Sequence, residues 1–305
     1  MIGRTNTQTG VATVSLENDL LKVVAAPEVG GRIVSIYNKE TGYEFLWKNA
    51  ALPLVRNEPG APYDPNFYGG IDELLPNDLP EVITGIEVPD HGELWTMPLD
   101  YNVEDREIVM SCTLPRTGIS YNRRMKLSVG KPEIITSYRL INPGSSSIPF
   151  LWKLHAALSI AEGDRILCDC KNAFPLDLEW SRCTREGSFD WPCFDNLDMS
   201  IIPPLNDTNE FLCLTGLKTG CIAWERPSDR LRFTYTFDKN LFRQCWLFAS
   251  FGKFDGHYTA ILEPCTSRLL SVSKASEQDA CTVLGPGETL ETTVVTYAGR
   301  SDGRS

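Results

Sequence analysis

Short runs rich in β-branched and aromatic residues, each closed by Gly, Pro, Asn or Asp, recur along almost the whole chain, and no long helical period is evident. A chain patterned this way folds as sheet. Leu21-Lys-Val-Val-Ala-Ala26 and Arg32-Ile-Val-Ser-Ile-Tyr37 flank the turn Pro27-Glu-Val-Gly-Gly31, and Asn38-Lys-Glu-Thr-Gly42 reverses the chain before Tyr43-Glu-Phe-Leu-Trp47. Further strands are expected at 107–113, 119–128, 133–141, 148–158, 231–237, 244–251, 257–263, 267–273 and 290–298. That many short strands suit two large packed antiparallel sheets, so the expected class is all-β, a large antiparallel sandwich. With 305 residues, 42% of them hydrophobic, there is ample material for one core. The reading is a single domain over 1–305, with its core at about 15–298 and frayed polar tails at 1–10 and 299–305.

Two stretches depart from the pattern. Residues 50–95 carry Pro53, Pro62, Pro65, Gly69, Gly70, Pro76, Pro80 and Pro89, which work against ladder pairing over a long connection. Residues 174–210 carry Pro175, Trp180, Trp191, Pro192, Pro203 and Pro204 and are expected to cover one end of the sandwich. Long ordered excursions of this kind are usually functional.

Charge and cysteine usage narrow the function classes. A formal net charge of −11 and the absence of any Lys/Arg run repel a phosphate backbone, which argues against nucleic acid as a partner. No apolar stretch approaches the roughly 18 residues of a membrane span, and Met1-Ile-Gly-Arg-Thr-Asn-Thr-Gln lacks the order of a signal peptide. The expectation is a soluble, cytoplasmic protein with no membrane partner. Ten cysteines at 112, 168, 170, 183, 193, 213, 221, 245, 265 and 281 form no C-x-x-C pair and read as small reduced thiols, mostly in apolar surroundings.

Only three histidines are present, and two occupy notable places. His91 lies in Val88-Pro-Asp-His-Gly-Glu-Leu-Trp95, a Gly-containing turn followed by an aromatic of sugar-platform size. His155 ends the run Pro149-Phe-Leu-Trp-Lys-Leu-His155, where strand alternation sets Lys153 and His155 on one face and Phe150, Trp152 and Leu154 on the other. Glu263 ends Tyr258-Thr-Ala-Ile-Leu-Glu263, sharing a face with His257, Thr259 and Ile261. A carboxylate there must be paired, solvated through a cleft, or used. Two histidines and a glutamate suffice for acid/base work on a carbohydrate. Plainer readings stand beside these: His155 as a hydrogen-bonded core residue, Glu263 as a partner of Arg268 or Arg243, Arg32 and Lys153 as partners of acids, Asp90 as a turn former, and Trp47, Tyr68 and Trp95 as core.

Four segments in sequence carry a family resemblance: Tyr68-Gly-Gly-Ile-Asp-Glu-Leu-Leu-Pro76-Asn77; Asp90-His91-Gly92; the stretch from Leu140-Ile-Asn-Pro143 to His155; and Leu262-Glu263-Pro264. The chain resembles the aldose 1-epimerase, or galactose mutarotase, family and the related hexose-6-phosphate mutarotases over roughly residues 15 to 298. The resemblance implies a β-supersandwich with a sugar cleft, and an isomerase that interconverts the α and β anomers of an aldose by opening its ring. By motif match it makes Glu263 the base, His155 the acid and His91 a hydrogen-bonding support at the ring oxygen. It further implies sugar contacts from Asp72 after Gly69-Gly70; Trp95, Lys153 and Arg32 are added as candidate substrate-binding residues. No metal and no cofactor are expected.

Two other readings compete. The same fold serves as a non-catalytic or regulatory carbohydrate-binding module, and a third reading arranges His91, His155 and Glu263 or His257 as a two-His, one-carboxylate metal site, though the usual spacings are missing. In the hexose-6-phosphate relatives the His-Gly turn continues Phe-Ala-Arg, with the arginine on phosphate. Here it continues Glu93-Leu94-Trp95. The expected ligand is therefore a small sugar that is not phosphorylated, bound by a monomer or homodimer.

Overall fold

The computed structural model describes residues 2–6 and 9–301. Nearly all regular structure is strand, in two large antiparallel sheets. In the twelve-stranded sheet, Ile2–Asn6, Ala12–Glu17, Leu21–Ala26 and Arg32–Asn38 form an N-terminal meander that meets Ile71–Leu74, with the short strand Tyr43–Glu44 pairing to Arg32–Asn38 off this path. Lys153–Ser159, Tyr258–Cys265, Gln244–Phe251, Thr208–Thr215, Asn172–Pro175 and Phe189–Asp190 follow in spatial order. The eight-stranded sheet runs Arg165–Cys168, Cys221–Arg226, Leu231–Thr236, Thr289–Arg300, Glu133–Ile141, Ser120–Leu127, Glu107–Thr113, Asp100–Glu104. Alternation explains the packing. In Glu133–Ile141 the buried positions are Ile134, Thr136, Tyr138 and Leu140, and the apolar ones among them meet Leu154, Ala156, Leu158, Leu247 and Leu262 of the other sheet in one core.

The strand Lys153–Ser159 is buried on both faces, because its other side is also covered. Leu74, Ala157 and Ile261 on the outer face of the large sheet pack with Tyr63, Phe67 and Trp95 from the long excursion. Leu151, Cys213, Trp246 and Cys265 pack with Ile83, Val88 and Val272. Between these two patches the outer face stays open. That gap is where the cleft lies.

Several expected elements differ in the structure. The run 267–273 is not a strand: Ser267 Oγ engages Leu269 N, Ser271 Oγ caps Lys274 N, and Val272–Glu277 forms a helix whose first amides bond to Glu81. The run 148–158 breaks at Leu151 and Trp152, whose amides turn to Pro76 O and Thr266 Oγ1. Within 50–95, Ile71–Leu74 joins the large sheet in the window between Gly69-Gly70 and Pro76, where no proline blocks pairing. Ala12–Glu17, Asp100–Glu104, Thr208–Thr215 and Cys221–Arg226 are strands that the sequence reading left out. The expected tails fall partly outside the described residues, but Ile2–Asn6 pairs as an edge strand and the last strand continues to Arg300. All ten cysteines are free thiols. No helix among the described residues is long and apolar enough to cross a membrane.

Candidate functional site

His91 enters the site through a turn that only glycine can complete. Gly92 has φ +79°, and a Cβ there would stand 2.3 Å from Leu75 O. His91 itself sits at φ +56°, a sparsely populated region for a non-glycine residue. It is held by its amide to Asp78 O (2.7 Å), by Nδ1 to Asp90 Oδ1 (2.8 Å) and by stacking on Tyr63 at 4.3 Å. Burial alone would raise the Asp90 carboxyl, but His91, the Tyr63 amide and the Lys153 charge together outweigh it and hold that group below its ordinary range.

Lys153, His155 and Glu263 come from neighbouring strands of the large sheet, and their side chains reach the same side. Lys153 Nζ lies 2.6 Å from Asp78 Oδ1 and 2.9 Å from Glu263 Oε2. Neither oxygen has a contact with full hydrogen-bond geometry, so the pairing is mainly ionic. Burial opposes charge on Lys153, but the Asp78 and Glu263 carboxylates overcome it and raise its proton affinity far above the ordinary value. For Glu263 the balance tips the other way. Burial, with the Asp78 charge beside it, raises its carboxyl further than Lys153 and His91 lower it.

His155 is buried, and desolvation followed by the Lys153 charge pushes its proton affinity well below the ordinary histidine value. Its Nδ1 stands 3.3 Å from the Tyr63 hydroxyl, which donates to Asp72 Oδ2 at 2.8 Å. With that hydrogen committed to Asp72, the hydroxyl offers His155 a lone pair. Nδ1 then carries the hydrogen and Nε2 is the acceptor.

These groups line a cleft of about 240 Å³ together with Tyr63, Asp64, Phe67, Asp177, Trp180, Phe211, Phe248, Phe254 and Ile261. Of the seven residues singled out from sequence, His91, Lys153, His155 and Glu263 line it, while Arg32, Asp72 and Trp95 do not. Arg32 is locked to Asp72 at 2.6 Å, and both are nearly fully buried behind Tyr63. Trp95 is 1% exposed and packs edge-on against Tyr63. Glu73 points the opposite way, into the core between the sheets, where Arg123, Tyr121, Tyr138 and Trp152 satisfy it. The partner of Glu263 is Lys153, not Arg268 or Arg243. His257 packs on Trp47 at 4.8 Å, outside the cleft lining. Among the described residues no three His, Cys, Asp or Glu side chains are grouped as a metal site.

Sequence reasoning missed Tyr63, Asp78, Asp177, Trp180 and the phenylalanine wall. Asp78 follows directly on the quoted Pro76-Asn77 and was within reach. Tyr63 and Trp180 carry no local signal beyond lying in the two proline-rich excursions.

Solved structures share this architecture. The galactose mutarotase-like protein CA_C0697 from Clostridium acetobutylicum matches with a TM-score of 0.73 at 13% identity, over 98% of this chain and 98% of its own. Slr1438 from Synechocystis sp. PCC 6803 matches with a TM-score of 0.72 at 15% identity, over 95% and 96%. A TPR-domain containing protein from Parabacteroides distasonis matches 95% of this chain but 47% of its own, with a TM-score of 0.68 and 16% identity. At such identities the likeness shows the fold, a galactose mutarotase-like β-sandwich. A family model matches residues 3–193, more than half of the sequence, and the chain belongs to that family, described as a domain of unknown function, DUF5107.

Proposed function

We propose that the cleft binds an aldose and interconverts its anomers, as an aldose 1-epimerase-type isomerase. The observation that carries this reading is the convergence of Glu263, His155 and His91, from separate elements, on one small cleft floored by acid/base groups and walled by aromatics. Ring opening breaks the bond between C1 and the ring oxygen. A base takes the proton of the C1 hydroxyl, whose oxygen becomes the carbonyl, and an acid protonates the departing ring oxygen. After rotation about C1–C2 the same two groups work in reverse, closing the ring on the other face. Glu263 is the base and His155 the acid in the opening step, with His91 hydrogen-bonding the ring oxygen or a neighbouring hydroxyl.

The electrostatics support a proton that passes both ways. Burial raises Glu263 and depresses His155, so their proton affinities, ordinarily about two pKa units apart, shift in each other's direction. A depressed histidine is also a strong acid once charged. Its cost is scarcity of the charged form at neutral pH. The test is Glu263→Gln, which keeps shape and removes the acceptor: anomerisation of a freshly dissolved single anomer, followed by polarimetry, should slow by about 10²-fold or more with sugar affinity retained. An undiminished rate in a folded variant removes Glu263 from the chemistry, whereas a wild type that binds sugar without speeding anomerisation over the spontaneous rate favours a module that only binds.

A further inference from the structure

The cleft extends beyond the groups that proton transfer requires. Its outer wall is Trp180, Phe211, Phe248 and Phe254, none of which can move a proton. At Asp177, which lines both, the cleft meets a second groove of about 500 Å³ bordered by Phe174–Leu178 and residues 186–188. The inner cleft, at about 240 Å³, falls below the roughly 300–1,000 Å³ of sites that enclose larger ligands, which suits a single ring. The outer groove has room for another.

The loop between the two spaces is anchored from below. Asp177 Oδ1 accepts from Glu179 N at 2.8 Å, and the Lys253 ammonium, over the Trp180 ring at 5.5 Å, donates to Glu179 O. Immediately after Trp180, Ser181 Oγ (2.5 Å) and Arg182 Nε (2.8 Å) bond to Glu210, which is 1% exposed. These two bonds to a buried carboxylate tether the chain directly after Trp180 and restrict where its ring can lie. An indole face matches the apolar C–H face of a pyranose. Asp177, exposed beside it, can accept from sugar hydroxyls.

We infer that Trp180, Asp177 and the groove beyond them form a second sugar subsite, so that the ligand is the reducing end of a disaccharide or longer oligosaccharide. This rests on the reading of the cleft as a sugar site. The reducing ring lies inside, because only its C1 can reach Glu263 and His155, and the next ring lies against Trp180.

Calorimetric titration of the intact protein compares glucose with maltose and cellobiose, and galactose with β-1,4-galactobiose. At least one disaccharide should bind about tenfold more tightly than its reducing-end monosaccharide. Trp180→Ala should bring that ratio to within about twofold of one, and Trp180→Phe should keep most of it, both being checked by thermal melting. Ratios near one across the panel, disaccharides that fail to bind, or an advantage that survives Trp180→Ala would each overturn the subsite. Polarimetry on the same sugars separates the two ideas. Tight disaccharide binding without anomerisation leaves the subsite and removes the isomerase, whereas anomerisation of monosaccharides with no disaccharide advantage does the reverse.

Discussion

Replacing Lys153 with Met removes the ammonium set between two buried carboxylates, and the structure gives the size of the effect. Lys153, Asp78 and Glu263 are 2%, 7% and 1% exposed at their side chains, and both carboxylates lie within 3 Å of Nζ. Met keeps most of the apolar stem, so little packing is lost. What remains is two carboxylates within about 6 Å of each other with no cation between them, the arrangement that raises proton affinity most strongly. Breaking a buried pair from one side costs about 3–5 kcal/mol, and this cation serves two partners, so the upper part of that range is expected at pH 7.

The pH dependence has a definite sign. Burial already raises Glu263 while Lys153 restrains it, and without Lys153 it rises further. A carboxyl whose folded proton affinity exceeds the unfolded one stabilises the fold below the unfolded pKa and loses that contribution as pH rises through the folded value. The gap between wild type and Lys153→Met should therefore narrow as pH falls from 7 toward 5. Urea unfolding at several pH values measures it. A loss below about 1 kcal/mol, or a gap that does not change with pH, would refute the account of the triad. Glu263→Gln is the natural control: Asp78 still neutralises Lys153 at 2.6 Å, so stability changes far less than when the cation is lost.

Two further outcomes follow from the same charges. Because His155 titrates well below the ordinary histidine value, its acid form grows as pH falls, while Glu263 stops acting as a base once it takes its own proton at a raised pKa; kcat for anomerisation should peak on the acid side of neutrality, and a steady rise from pH 6 to 9 would remove His155 as the acid. Neutral sugars should have a higher kcat/KM than their 6-phosphates, since the cleft is lined by Asp64, Asp78, Asp177 and Glu263, Lys153 is already neutralised, and Arg32 and Arg56 are engaged by Asp72 and Glu28; a preference for the phosphate would overturn that.

The sandwich was legible because its strands alternate in sequence: where one face meets the inter-sheet core and the other meets water, as in Glu133–Ile141, period two survives. It failed where alternation meant nothing. Thr208–Thr215 is buried at five of its eight positions, so its apolar run carries no period, and Ser267 to Leu270 reads as sheet until the serine hydroxyls take the backbone for a turn and a helix cap.

The strand residues that line the cleft were accessible for a related reason. Lys153, His155 and Glu263 are polar residues on strands otherwise buried on both faces, and such residues need a partner or a cavity. Here they have both. Asp72, expected at the sugar by resemblance, and Arg32, expected there or paired with an acid, instead hold each other, with the Tyr63 hydroxyl also on Asp72, because a buried pair satisfies the chemistry as completely as a ligand does. Buried charge in a sequence therefore marks where an interior is polar, and the fold decides whether that interior is open. Tyr63 decides it in this protein. Its ring stacks on His91, and its hydroxyl ties Asp72, the partner of Arg32, to His155. One tyrosine from an irregular loop thus stands between the buried Arg32–Asp72 pair and the cleft-lining histidines, a position no local pattern could reveal, since it depends on contacts with residues 9 to 92 positions away.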